Sequence, residues 1–223
     1  MTAYIADVAR WQKGLALTEL VKAGFGAVNI KTSHGLTVGE PLYPDQPDEI
    51  ARAREARAAK LRLCTFHWLD GSASGVEQAN VAFSRIKALG GPTGVAHSVD
   101  AEEKDLPPTW AIWFDYVNTM QKLLGRPILT YTGDWWWKPR FGSKNAGAIT
   151  PYLWAAPNDG YVGSYPGDKS PLWKAGYSGW TNLSAMQYAV EPPFGPGVTT
   201  TVKVSKTAIR DLNVWKATSG VAW

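Results

Sequence analysis

Two periods of apolar and polar residues organise this chain. Alternating or short continuous apolar runs predict strands at residues 3–9 (AYIADVA), 27–31 (AVNIK), 61–69 (LRLCTFHWL) and 95–99 (VAHSV). Four more are predicted at 127–131 (PILTY), 152–156 (YLWAA), 184–190 (SAMQYAV) and 211–215 (DLNVW). Helical spacing and end signals predict helices between the early strands. One covers 19–23, capped by Thr18 and closed by Gly24, and one covers 48–60, capped by Asp48. A third follows Ser74 and runs through 76–89, with Val76, Ala79, Phe83, Ile86 and Leu89 on one face. A fourth covers 109–124, with a stripe of Trp110, Trp113, Phe114, Val117, Met120 and Leu124. Residues 157–179 read as loop and 197–206 as a hairpin. The first four strands are each followed by a helix and the last three are not. Such alternation predicts a parallel sheet, and eight strands with few late helices predict an α/β barrel lacking part of its outer helical layer. No repeat or composition break divides residues 1–223, which read as one domain.

Composition narrows the class. A hydrophobic fraction of 45% supports a packed core and excludes disorder. The net charge of +4 comes without a dense Lys/Arg cluster, so no nucleic-acid partner is expected. No apolar run is long enough for membrane insertion, and the first residues show no secretory signal pattern. The single cysteine, Cys64, sits in an apolar strand and reads as a buried thiol. Twelve tryptophans exceed the needs of a core this size, and surplus indoles suit stacking on the apolar faces of sugar rings.

The candidate chemistry begins at residues 94–104, GVAHSVDAEEK, where a buried strand runs into acid. Asp100 and Glu102 point the same way, with Cα atoms roughly 6.5 Å apart. Two carboxyls that close have an electrostatic reason to differ in pKa, which glycosidic cleavage requires: one protonates the leaving oxygen and one stabilises positive charge. Taken alone, acids after a strand equally suit loop solvation or a helix cap. In barrels the site lies at the C-terminal strand ends. Those ends carry Asp7, Lys31, Trp68, Asp100 with Glu102, Tyr131, Trp154, Gln187 with Tyr188, and Asp211 with Asn213. Trp68, Tyr131, Trp154 and Tyr188 are expected sugar platforms, with Lys31, Gln187 and Trp135 as further substrate contacts. Trp135, Trp136 and Trp137 follow a strand-end turn, one or two of them stacking on glycan. Glu103 and His34 read as solvated, and His67 and His97 as hydrogen-bonded wall residues. The ring lacks the His and Cys of a zinc site, a Gly-rich phosphate loop and a G-x-S-x-G elbow. No metal or cofactor is therefore expected, and carbohydrate is the favoured ligand.

The ordered series DVARWQ, VNIKTSHG, FHWLDG with EQANVAF, VDAE, PILTYTG, LWAA, MQY and DLNVW resembles glycoside hydrolase family 25, the lysozymes of phage endolysins and some fungi and bacteria. It spans Asp7 to Trp215. The resemblance implies a modified TIM-like barrel of eight strands and about five helices, (β/α)5(β)3. It also implies cleavage of the β-1,4 bond between N-acetylmuramic acid and N-acetylglucosamine in bacterial peptidoglycan. By resemblance Glu102 is the general acid and Asp100 is the nucleophile or the group that stabilises an oxazolinium. Asp7 and Asp211 line the site floor. The chain departs from the family pattern at Ala9, where Ser is usual, at His34, where an acid is usual, and at Met186, where Trp is usual. A monomeric phage endolysin, made in the host cytoplasm and acting on the wall after release, is the expectation. The alternatives are a barrel that binds wall glycan without cutting it and a glycosidase of chitin-like glycans.

Overall fold

The computed structural model describes residues 3–8, 15–38, 49–142, 144–155, 169–189, 202–204, 207–209 and 212–216. In chain order the elements are β1 (Ala3–Val8), α1 (Leu17–Lys22), β2 (Phe25–His34), β3 (Thr37–Val38), α2 (Glu49–Ala58), β4 (Arg62–Trp68), α3 (Gly75–Ala88), β5 (Val95–Asp100) and α4 (Trp110–Leu124). They continue with β6 (Leu129–Tyr131), α5 (Asp134–Phe141), β7 (Tyr152–Ala155), β8 (Lys174–Tyr177), β9 (Trp180–Asn182), β10 (Ala185–Ala189), β11 (Val202–Val204), β12 (Thr207–Ile209) and β13 (Leu212–Trp215).

Strands β1, β2, β4, β5, β6, β7, β10 and β13 pair in that order, and β13 returns to β1, closing an eight-stranded barrel. Neighbours from β1 to β10 run parallel, whereas β13 is antiparallel to both β10 and β1. The parallel expectation thus fails at the closing strand. A parallel step needs a long crossover, and only the β11–β12 hairpin lies among the described residues between β10 and β13. The reversal puts the start of β13, not its end, beside the C-terminal ends of the other seven.

Alternation along the strands sorts the barrel wall into two faces. Val28, Ile30, Leu63, Val95 and Val99 face outward and pack with Leu20, Ala56, Ile86, Val117 and Met120 of the helices. Ile5, Ala27, Cys64, Ala96, Leu129, Trp154, Ala185 and Trp215 face inward as a second apolar cluster. His67 and His97 belong to the outer face and are buried, as the sequence suggests. His67 bonds Ser33 Oγ (2.8 Å) and Gln78 Oε1 (3.1 Å), and His97 bonds Thr65 Oγ1 (2.8 Å) and the Tyr116 hydroxyl (2.9 Å).

Several elements differ from the pattern reading. In α3 the Ser74 cap is present as a full capping box with Glu77, but the buried face is Gly75, Gln78, Ala79, Ala82 and Ile86, leaving Val76 exposed. Gly75 is the reason. A Cβ there would lie 2.0 Å from the Ile112 carbonyl oxygen, so α3 and α4 meet backbone to backbone at this glycine. In α4, Tyr116 is buried and Phe114 is exposed. The three tryptophans expected after a strand-end turn lie in a helix that the pattern does not predict, α5, and the stretch read as loop before Gly179 contains strand β8, hairpinned to β9. The late hairpin pairs residues 202–204, inside the predicted 197–206, with residues 207–209 just beyond it.

Candidate active site

The inward residues change character along the barrel axis. Low in the barrel they are apolar; toward the strand ends they become Asp7, Asn29, Phe66, Trp68, Ser98, Asp100, Tyr131 and Gln187. These residues, with Val8, Glu102 and Trp154, line one cleft of about 190 Å3. Strand register accounts for the convergence: Asp7 pairs with Asn29, Trp68 with Asp100, Asp100 with Tyr131, and Tyr131 with Trp154.

Asp7 is held from two sides. Its Oδ1 accepts from Asn29 Nδ2 (2.7 Å) and its Oδ2 from Asn213 Nδ2 (3.1 Å). Asn213 is fixed in turn by the Trp154 indole N–H (3.0 Å). Asn29 escaped the sequence reading; its signal was an amide interrupting the apolar run AVNIK.

Asp100 ends β5, all six residues of which are buried. Its Oδ1 has no hydrogen-bond partner among the described residues. Burial pushes its carboxyl well above the usual range; the charges of Glu102 and Asp7 add to this, and Lys31 and the Glu102 backbone N–H oppose it. Glu102, just past the strand, accepts the Gly133 N–H on Oε1 (2.6 Å). Burial raises it to about 7, against the pull of the Gly133 N–H and the Lys104 charge. Burial is the first cause of both shifts, so both carboxyls are pushed toward the protonated form.

The other expected site residues divide. Tyr131 and Gln187 line the cleft and are joined by a hydrogen bond from the phenol to the amide oxygen. Trp68 lines it with the Lys31 ammonium 5.2 Å from its ring centroid. Trp154 is 2% exposed and bonded through its indole, so it is a floor residue rather than an open platform. Trp135 is 54% exposed and lies outside the lining of the cleft. Asp211, the side chain of Tyr188, and Ala9 lie outside the described residues.

Glu103 is not the solvated acid that strand alternation suggests. The strand ends at Asp100, so alternation no longer governs it, and its side chain is 14% exposed. It accepts the Trp68 indole N–H (2.9 Å) and the backbone N–H groups of Lys104 and Asp105 (each 2.7 Å). Despite the burial, hydrogen bonds from Asp105, Trp68, Lys104 and Leu106 hold its carboxyl below the usual range. His34 is likewise engaged, its Nε2 3.4 Å from Asp70 and 3.7 Å from Glu103. Among the described residues no cluster of His, Cys, Asp or Glu is arranged to hold a metal ion, and no helix is long and apolar enough to cross a membrane.

The model of glycosyl hydrolases family 25 matches residues 6–195. The chain belongs to that family. It is therefore a glycoside hydrolase, and its barrel is the family 25 fold. A lysozyme from Streptomyces coelicolor superposes with a TM-score of 0.70 at 18% identity, over 98% of this chain and 93% of that one. A muramidase from Trichobolus zukalii gives 0.68 at 19%, over 96% and 93%. The catalytic domain of an endolysin from a bacteriophage of Listeria monocytogenes gives 0.61 at 16%, over 98% and 95%. At these identities the likeness is one of fold. No curated protein sequence matches the chain.

Proposed function

We propose that this family 25 enzyme is an N-acetylmuramidase, cleaving the β-1,4 bond between N-acetylmuramic acid and N-acetylglucosamine in peptidoglycan. The observation that carries the reading is that Asp100 and Glu102 line one acidic, aromatic-walled cleft at the strand ends, together with Asp7, Trp68 and Tyr131. Structures of similar fold that are named as muramidases, a lysozyme and an endolysin support the substrate class.

Glu102 is the general acid. With a pKa of about 7 it keeps its proton in a large fraction of molecules at neutral pH and releases it readily. Asp100 stabilises charge. In the free enzyme burial favours a proton on Asp100. A bound N-acetylmuramic acid offers its acetamido N–H to the unpartnered Oδ1, which favours the Asp100 carboxylate and leaves the proton on Glu102. Glu102 then protonates the glycosidic oxygen, and N-acetylglucosamine leaves with a free 4-hydroxyl. The acetamido oxygen bonds to the anomeric carbon, forming an oxazolinium whose charge Asp100 offsets. Water opens the ring from the opposite face and returns a proton to Glu102, so configuration is retained. Asp7, fixed by Asn29 and Asn213, supplies a further negative charge on the floor, with Asp211 as its companion.

Turbidity loss on purified peptidoglycan tests the reading. Wild type should clear the suspension, and Glu102→Gln should be slower by about two to four orders of magnitude. Wild type as inert as the variant would sink it, and preference for chitin oligomers over muramic acid glycans would redirect it to chitin-like substrates. The biological setting that fits is lysis of a bacterial host by a phage enzyme, made in the host cytoplasm and acting on the wall after release.

A further inference from the structure

Building on the muramidase reading, we propose that Trp135 is the stacking platform of a leaving-side subsite, holding the N-acetylhexosamine that departs when Glu102 gives up its proton. Three consecutive tryptophans open α5, and their fates differ. Trp136 and Trp137 are completely buried, their indole N–H groups bonded to the Glu103 carbonyl (3.0 Å) and Ser178 Oγ (2.7 Å). Both are core. Trp135 is 54% exposed, and its indole N–H donates to no described residue.

Its position relative to the acid is specific. The pyrrole edge folds back over Gly133, where a Cβ would lie 2.2 Å from Trp135 Nε1. Gly133 is the residue whose N–H donates to Glu102 Oε1. One backbone unit therefore separates the indole from the proton donor. The sugar whose anomeric carbon becomes positive must face Asp100, inside the cleft. The departing sugar extends beyond Glu102, and Trp135, next to the Gly133 that bonds Glu102, stands outside the cleft lining. An indole with an open surface and a free donor suits the C–H face and hydroxyls of a pyranose. Lys104 completes the subsite: its ammonium lies 5.2 Å from the Trp135 ring centroid and its charge is felt by Glu102.

Two substrates separate this role from a general one: peptidoglycan glycan strands, and the β-fluoride of the N-acetylglucosaminyl–N-acetylmuramic acid disaccharide, whose leaving group fills no sugar subsite. Trp135→Ala should lower the strand-to-fluoride ratio of kcat/KM by about tenfold. Trp135→Phe should restore most of it, and Tm should hold because the ring is exposed. An unchanged ratio, whether both rates fall together or neither moves, would overturn the subsite. A wild type that cuts neither substrate would instead overturn the muramidase reading and the subsite with it.

Discussion

Glu102 and Glu103 are adjacent glutamates that the fold drives in opposite electrostatic directions. One is raised to about 7 by burial, and the other is held below the usual range by a cage of N–H donors. Nothing in the string EEK distinguishes them; the difference comes from Gly133, Trp68 and the turn through Asp105, which only the fold brings near. Because Lys104 lowers the Glu102 pKa, Lys104→Ala should raise it. The acid then stays protonated to higher pH, so the alkaline limb of the pH–rate profile should move upward. Lys104 is exposed, so the difference should shrink in about 0.5 M salt. A limb that stays put at low salt would show that the ammonium does not act on the acid. Glu103 predicts a different signature. Glu103→Ala frees the Trp68 indole from the cleft wall and should raise KM severalfold with a smaller effect on kcat, whereas Glu103→Gln keeps an acceptor and should stay close to wild type. Equal behaviour of the two variants would remove the tether.

Among the elements, α3 shows what pattern reading reaches and where it stops. Its start was legible because Ser74 and Glu77 form a local signal, and Ser74→Ala should cost about 1 kcal/mol in a denaturant titration. Its buried face was not, because Gly75 contributes no side chain to a hydrophobic stripe yet decides which face meets α4. Gly75→Ala should destabilise by more than 2 kcal/mol, since the added methyl meets the Ile112 carbonyl and the Tyr116 N–H rather than a movable side chain. A near-neutral result would mean the helices can part there. The same logic explains the other misses. Helix α5 hides behind three successive tryptophans and Pro139, which erase any 3.6-residue period. Strand β8 lies in a Gly-, Pro- and Ser-rich stretch. The reversed direction of β13 leaves no trace in DLNVW, since a strand reads alike in either sense. The strands and helices of the first half, the Asp100–Glu102 pair and Asp7 were legible because each depends on local period or strand-end position. The Asp7–Asn29–Asn213–Trp154 chain depends on barrel closure across more than two hundred residues.

Across the whole molecule, two buried sets of titratable groups act on stability with opposite sign. His67 and His97, between the barrel and its helices, are lowered from 6.5 to about 4 and about 3, by burial first. The unfolded chain binds their protons first on acidification, so stability falls below pH 6.5 and levels off near 3. The cleft carboxyls Asp100 and Glu102 work the other way. Glu102 is raised from 4.5 to about 7, and Asp100 is raised as well. Here the folded state holds protons that the unfolded chain has lost, so stability falls as pH rises from 4.5 through 7. Between about 4.5 and 6.5 the histidine slopes and the Glu102 slope oppose one another. Glu102→Gln removes one ionisation without removing volume. It should leave stability unchanged below pH 4 and raise it by roughly 3 kcal/mol above pH 8, the free-energy equivalent of the Glu102 shift. Urea midpoints of wild type and variant from pH 3 to 9 measure this directly. Curves that run parallel across that range would show that the fold does not hold the Glu102 proton, and the general-acid role would lose its physical basis.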